Sequence, residues 1–100
     1  YRIKVDGMYL GRTELRILNL IDDFNEIPVW RIAEYMSSSL RYQRIVYSVV
    51  YNMKNKGLVE LSKTGRKNGL IASLTPLGKN ILINTILKYE DFYHSNVVEA

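Results

Sequence analysis

Residues 31–61 read RIAEYMSSSLRYQRIVYSVVYNMKNKGLVEL, and the organisation of the whole chain follows from this stretch. Ile27-Pro28 just before it starts a short helix, since proline is tolerated in a first helical turn. At about 100° per residue, Val29, Ile32, Ala33 and Met36 fall on one side of that helix. Ser37, Ser38 and Ser39 interrupt it, because serine is a weak helix former but a good cap. A longer helix follows to about Lys56, with Tyr42, Val46, Val49, Val50 and Met53 as its apolar stripe. Gly57 supplies the stop. The small Ala33 sits where two helices must cross closely, so residues 28–56 are expected to form a helix-turn-helix.

The flanks complete the pattern. Residues 58–63 and 70–74 read as two strands joined by Thr64-Gly65-Arg66-Lys67-Asn68-Gly69, a glycine-bounded polar loop that suits a hairpin tip. This hairpin, residues 58–74, is the expected wing. Thr75-Pro76 then gives a cap followed by proline at the first helical position, and a last helix is expected over residues 76–93. Upstream, residues 13–25 place Ile17, Leu20, Ile21 and Phe24 on one face, with Leu15 and Leu18 at its edge and Thr13 as the cap. Residues 1–5 alternate in polarity before the turn Asp6-Gly7, so residues 1–11 are an N-terminal extension or strand. The expected fold is α+β and mainly α: a single winged helix-turn-helix domain of three helices, a two-stranded wing and a C-terminal helix.

Composition narrows the function. The 100 residues are 47% apolar, which suffices for one modest core. The chain has no cysteine, which excludes disulfides, thiolate metal sites and cysteine catalysis. No uncharged apolar run is long enough to span a bilayer, and no leader is recognisable, so the chain is read as cytoplasmic. Tyr1 rather than Met opens it, which leaves open whether residues precede it. The net charge is +4, but residues 37–69 hold seven basic residues against Glu60 alone, a net of +6. The remaining residues sum to −2. Such a concentrated basic middle suits a polyanion partner, although a solvated face is the ordinary alternative.

On the longer helix, Arg41, Arg44, Ser48, Asn52 and Asn55 lie opposite the apolar stripe, with Gln43, Tyr47 and Tyr51 along the flank. The N-terminal half of a second helix-turn-helix helix faces base edges in the major groove. There Arg41 and Arg44 suit guanine and Gln43 suits adenine, while Ser39, Ser48 and Tyr47 can reach phosphates. Lys63, Arg66 and Lys67 on the wing suit the sugar-phosphate backbone. Double-stranded DNA is the expected partner.

Residues 27–82 resemble winged-helix transcription regulators of the PadR and MarR kind. The segments that carry the likeness are "RIAEYM", "IVYSVVYNMKNKGLVEL" and "LIASLTPLGKNIL". Tyr47, Val50, Met53 and Gly57-Leu58 match the PadR-like approach to the wing, and Leu74-Thr75 with Gly78 match the opening of the next helix. The wing is short, and Ala72-Ser73 stands where PadR proteins carry an aromatic. The resemblance implies a winged-helix fold and a DNA-binding regulator, with a repressor acting by occlusion as the leading reading. Two alternatives stay open: a DNA-organising or plasmid-partition protein that coats DNA, and a protein-interaction winged helix in a larger machine.

Enzymatic chemistry finds little support. The lone His94 lies past the expected end of the last helix. Asp22-Asp23 and Glu90-Asp91 are adjacent pairs that diverge by about 100° on a helix and share a proton or metal poorly. Ser37 to Ser39 lack a nearby base, and no phosphate-cradling glycine loop precedes a helix. No cofactor or metal is expected. Trp30 reads foremost as a core-edge cover, with a partner contact or a small-molecule effector pocket as minor readings. A homodimer is expected on the last helix, with Tyr1 to Val5 as an optional addition to the interface, because Leu77, Ile81, Leu82, Ile86, Tyr89, Phe92 and Tyr93 form one apolar surface. Ile83 and Leu87 form a second, and one small domain needs only one.

Overall fold

Seventeen apolar side chains form the described core, and their spacing explains the elements that carry them. The computed structural model describes the backbone over residues 2–5, 7–63 and 69–97, and side chains within 4–5, 7–63 and 69–86. In chain order the elements are β1 (Arg2–Val5), β2 (Met8–Gly11), α1 (Arg12–Phe24), β3 (Glu26–Pro28), α2 (Val29–Met36), α3 (Leu40–Asn55), β4 (Val59–Lys63), β5 (Leu70–Leu74) and α4 (Pro76–Val97). Helix α1 buries Ile17, Leu18 and Ile21, α2 buries Val29, Ile32 and Ala33, and α3 buries Val46, Val50 and Met53. Leu58, Val59, Ala72, Ile81 and Leu82 close the core from the wing and α4. The fold is a winged helix-turn-helix, mainly helical with small antiparallel sheets.

Several expected details are corrected. Ile27 and Pro28 do not begin α2. They belong to β3, which pairs antiparallel with β5 through Ile27 opposite Ala72, giving a three-stranded sheet in the order β3-β5-β4. Pro28 has an extended backbone and caps α2. An edge strand tolerates proline, which has no N–H for the ladder. Strands β1 and β2 pair antiparallel, with Ile3 opposite Leu10 and Val5 opposite Met8, where the sequence suggested one strand. The second strand runs directly into α1, so Gly11 rather than Thr13 is the cap, and the Gly11 amide donates to the Glu14 carboxylate at 3.3 Å. Phe24, expected on the buried face, is 45% exposed, and its ring centroid lies 5.5 Å from that of Tyr35. Helix α4 continues to Val97, four residues past its expected end. Its described half buries Ile81, Leu82 and Thr85, while Leu77 and Ile86, expected on that surface, are nearly half exposed.

The junction between α3, the wing and α4 is closely tied. The Leu58 amide donates to the Met53 carbonyl at 3.0 Å and the Gly57 amide to the Lys54 carbonyl at 2.9 Å, a Schellman ending. That ending needs a left-handed residue at its corner, which Gly57 supplies at φ 81°. The Thr75 hydroxyl donates to the Gly57 carbonyl at 2.6 Å and accepts from the Gly78 amide at 3.0 Å. The Thr75 amide donates to the Leu58 carbonyl at 3.1 Å. One threonine thereby caps α4 and pins it to the corner where α3 becomes the wing.

Gly78 lies against this corner so closely that a Cβ there would overlap the Leu58 carbonyl oxygen. That oxygen is backbone already held by Thr75, so it cannot swing away as a side chain would. Gly78→Ala should therefore lower stability by about 1–3 kcal/mol in urea denaturation, despite alanine's better helix propensity. The exposed neighbouring Lys79→Ala should stay within about 0.5 kcal/mol. Equal stability of the two variants would show that the corner yields.

Candidate nucleic-acid interface

The turn between α2 and α3 is held by its own serines. The Ser37 amide donates to the Ala33 carbonyl at 3.1 Å, closing α2. The Ser37 hydroxyl accepts from the Ser39 amide at 3.0 Å, and the Ser39 hydroxyl caps α3 by accepting from the Tyr42 amide at 3.5 Å. The Gln43 side-chain amide reaches back across the turn and donates to the Ser37 carbonyl at 2.8 Å. Gln43, singled out from sequence for adenine contact, is half-buried and engaged with the turn. Ala33 is fully buried, consistent with a close crossing of α2 and α3.

This scaffold presents one face of α3 outward. Arg41, Arg44, Ser48, Asn52 and Asn55 are all exposed there, and α3 contains no acidic residue. Tyr47 is half-buried on the flank, and burial, with the Glu34 carboxylate and Tyr51 nearby, raises its phenol above the ordinary value. Its hydroxyl is therefore a neutral donor across the physiological range. Not every cation of the basic middle faces outward alone: the Lys56 ammonium bonds the Glu14 carboxylate at 2.8 Å, tying the end of α3 to the start of α1. With Lys56 more than a third exposed, that pair contributes at most about 1 kcal/mol. Asn52, Asn55 and Lys56 line an open cleft against Gly11, Arg12, Thr13 and Glu14.

Lys63 is exposed at the end of β4, opposite Leu70. Arg66 and Lys67 lie outside the described residues. On α4, Ile83 is 46% exposed, and the side chains of Leu87, Tyr89, Phe92 and Tyr93 lie outside the described residues. Trp30 is 47% exposed at the start of α2, so it covers the core only in part. Two residues were not singled out from sequence: Leu40 and Ile45 are 77% and 51% exposed on α3. Their helical angles, well away from the buried stripe, were the available signal. Among the described residues no cluster of histidine, aspartate or glutamate could hold a metal ion, and no helix is long and apolar enough to cross a membrane.

No protein-family model matches the chain, and no curated protein sequence matches it. Solved structures do. A MarR variant from E. coli, complexed with operator DNA, superposes with a TM-score of 0.71 at 18% identity, over 86% of this chain and 61% of that one. The YusO protein of Bacillus subtilis gives 0.81 at 15% identity, over 91% and 63%. A Staphylococcus aureus MarR in complex with salicylate and kanamycin gives 0.79 at 12% identity, over 91% and 59%. The chain thus spans about three-fifths of these structures, and it shares with them the MarR-type winged helix-turn-helix fold.

The Gln43 clamp makes a testable claim about the turn. Gln43→Ala should cost about 0.5–1.5 kcal/mol of stability, the net worth of one hydrogen bond. Arg44→Ala, one residue on and exposed, should cost little. Chemical denaturation of both variants reads the difference, and equal costs would mean the Ser37 carbonyl is satisfied as well by water.

Proposed function

We propose that this chain is a sequence-specific, double-stranded DNA-binding transcription regulator that acts as a homodimeric repressor. The observation that carries the reading is the outward face of α3: Arg41, Arg44 and Ser48, free of acidic neighbours on that helix, on a turn fixed by three side-chain bonds. A helix so mounted can enter a major groove with its N-terminal half against base edges. The E. coli MarR structure with operator DNA supports the same use of this fold. Arg41 and Arg44 specify sequence. Lys63, Arg66 and Lys67 add affinity along the backbone, with Ser39, Ser48 and Tyr47 as phosphate contacts.

The second copy is argued from α4. At 1.5 Å per residue its 22 residues extend about 33 Å, and twelve of them follow Thr85, the last buried side chain described. Ile83 and Ile86 are already nearly half exposed there, and Leu87, Tyr89, Phe92 and Tyr93 come next in sequence. Two such helices paired about a two-fold axis cover each other's apolar surface. They present two α3 helices to half-sites roughly one turn, about 34–36 Å, apart.

Fluorescence anisotropy across a salt series tests the DNA reading: affinity should fall steeply as salt rises, through counterion release. Arg41→Ala or Arg44→Ala should cost about 1–3 kcal/mol on the preferred site and relax selectivity. Arg66→Ala with Lys67→Ala should weaken all sequences alike and flatten the salt dependence. No binding at low salt overturns the reading, and a footprint that spreads without bound favours a DNA-coating role. In sedimentation the intact chain should be a dimer, and Ile83→Glu with Leu87→Glu a folded monomer. A monomer at tens of micromolar would remove the dimer.

A further inference from the structure

The exposed face of α3 is not uniformly polar. Leu40, its first residue, is 77% exposed, and Ile45, five residues on, is 51% exposed. By helical angle Leu40 borders Arg44 on one side of the face, and Ile45 borders Arg41 on the other. Folding gives neither residue a reason to be apolar. The buried stripe of α3 is Val46, Val50 and Met53, and the cap is made by Ser39 alone. An exposed β-branched isoleucine is also a poorer helix former than lysine, glutamine or glutamate. Single exposed apolar residues are ordinary on protein surfaces. Two of them interleaved with two arginines, in the first two turns of one helix, form a surface of mixed chemistry.

This surface matches one feature of duplex DNA. The major groove offers guanine acceptors that suit arginine, and beside them a single apolar group, the thymine C5 methyl. We propose that Leu40 and Ile45 are specificity-determining residues that read thymine methyl groups beside the guanines contacted by Arg41 and Arg44. The inference rests on the DNA-binding reading above and deepens it by naming the base chemistry. The two side chains start about 7.5 Å apart along the helix axis, a little over two base-pair steps of about 3.4 Å. The thymines they read are therefore separate positions of one half-site, and recognition there is by shape and desolvation rather than by hydrogen bonds.

The test uses the full chain and a duplex selected from a random library. Deoxyuridine then replaces thymine at each position in turn, which removes the methyl and leaves every hydrogen-bonding group in place. Affinity should fall about fourfold at the contacted thymines, the fold-change that corresponds to about 0.8 kcal/mol per buried carbon group. Leu40→Ala with Ile45→Ala, both at exposed positions, should keep the helical circular dichroism and still bind. It should bind the thymine and deoxyuridine duplexes equally. If the library yields no bound duplex, the DNA reading falls and this inference with it. If the intact chain binds well but ignores every deoxyuridine, or if the double variant keeps the full discrimination, this inference alone is overturned.

Discussion

The Thr75 hydroxyl is the contact on which the arrangement of the domain depends. It donates to the Gly57 carbonyl and accepts from the Gly78 amide, so the end of α3, the start of β4 and the first turn of α4 meet at one oxygen. Helix ends leave backbone groups unsatisfied, and here the ends of two helices satisfy each other through a single side chain. The Leu58 carbonyl joins the same corner by accepting the Thr75 amide. Because Gly78 admits this carbonyl, α4 leaves the wing in a fixed direction. The surfaces of α4 are therefore oriented relative to α3.

Much of this was legible in the sequence, and the parts that were not have physical reasons. The stripe of Tyr42, Val46, Val50 and Met53 repeats over about three turns, and Gly57 ends the helix, so α3 could be placed within a residue or so. Thr75-Pro76 announced α4 just as clearly. Strand β3 is three residues long, too short for an alternation to show, and its identity depends on β5 more than forty residues away. Phe24 shares a helical angle with Ile17 and Ile21, yet it lies in the last turn of α1 and meets Tyr35 of α2 instead of the core.

The candidate interface divides in the same way. The exposure of Arg41, Arg44 and Ser48 follows from the position of the apolar stripe, so a helical wheel finds it. The engagement of Gln43 does not follow, since its partner is a carbonyl six residues back across a turn whose path no periodicity describes. Glutamine's chemistry suggests a base contact, whereas the structure shows a side chain bonded back to the turn that mounts the helix. Leu40 and Ile45 were legible but unused: their helical angles set them outside the stripe of Val46, Val50 and Met53, and the structure leaves both exposed.

The three-stranded sheet has a consequence for how copies of this chain can meet. Its two outer strands are β3 and β4, and every open sheet edge is a template on which another strand could pair. One edge is only three residues long and contains Pro28, which lacks a donor. The other carries exposed Glu60, Ser62 and Lys63, and the charges of Glu60 and Lys63 disfavour a flat apolar approach. The three-stranded sheet is thus a poor seed for edge-to-edge aggregation, and its two open edges are guarded in different ways, one by its shortness and its proline and the other by polar and charged side chains.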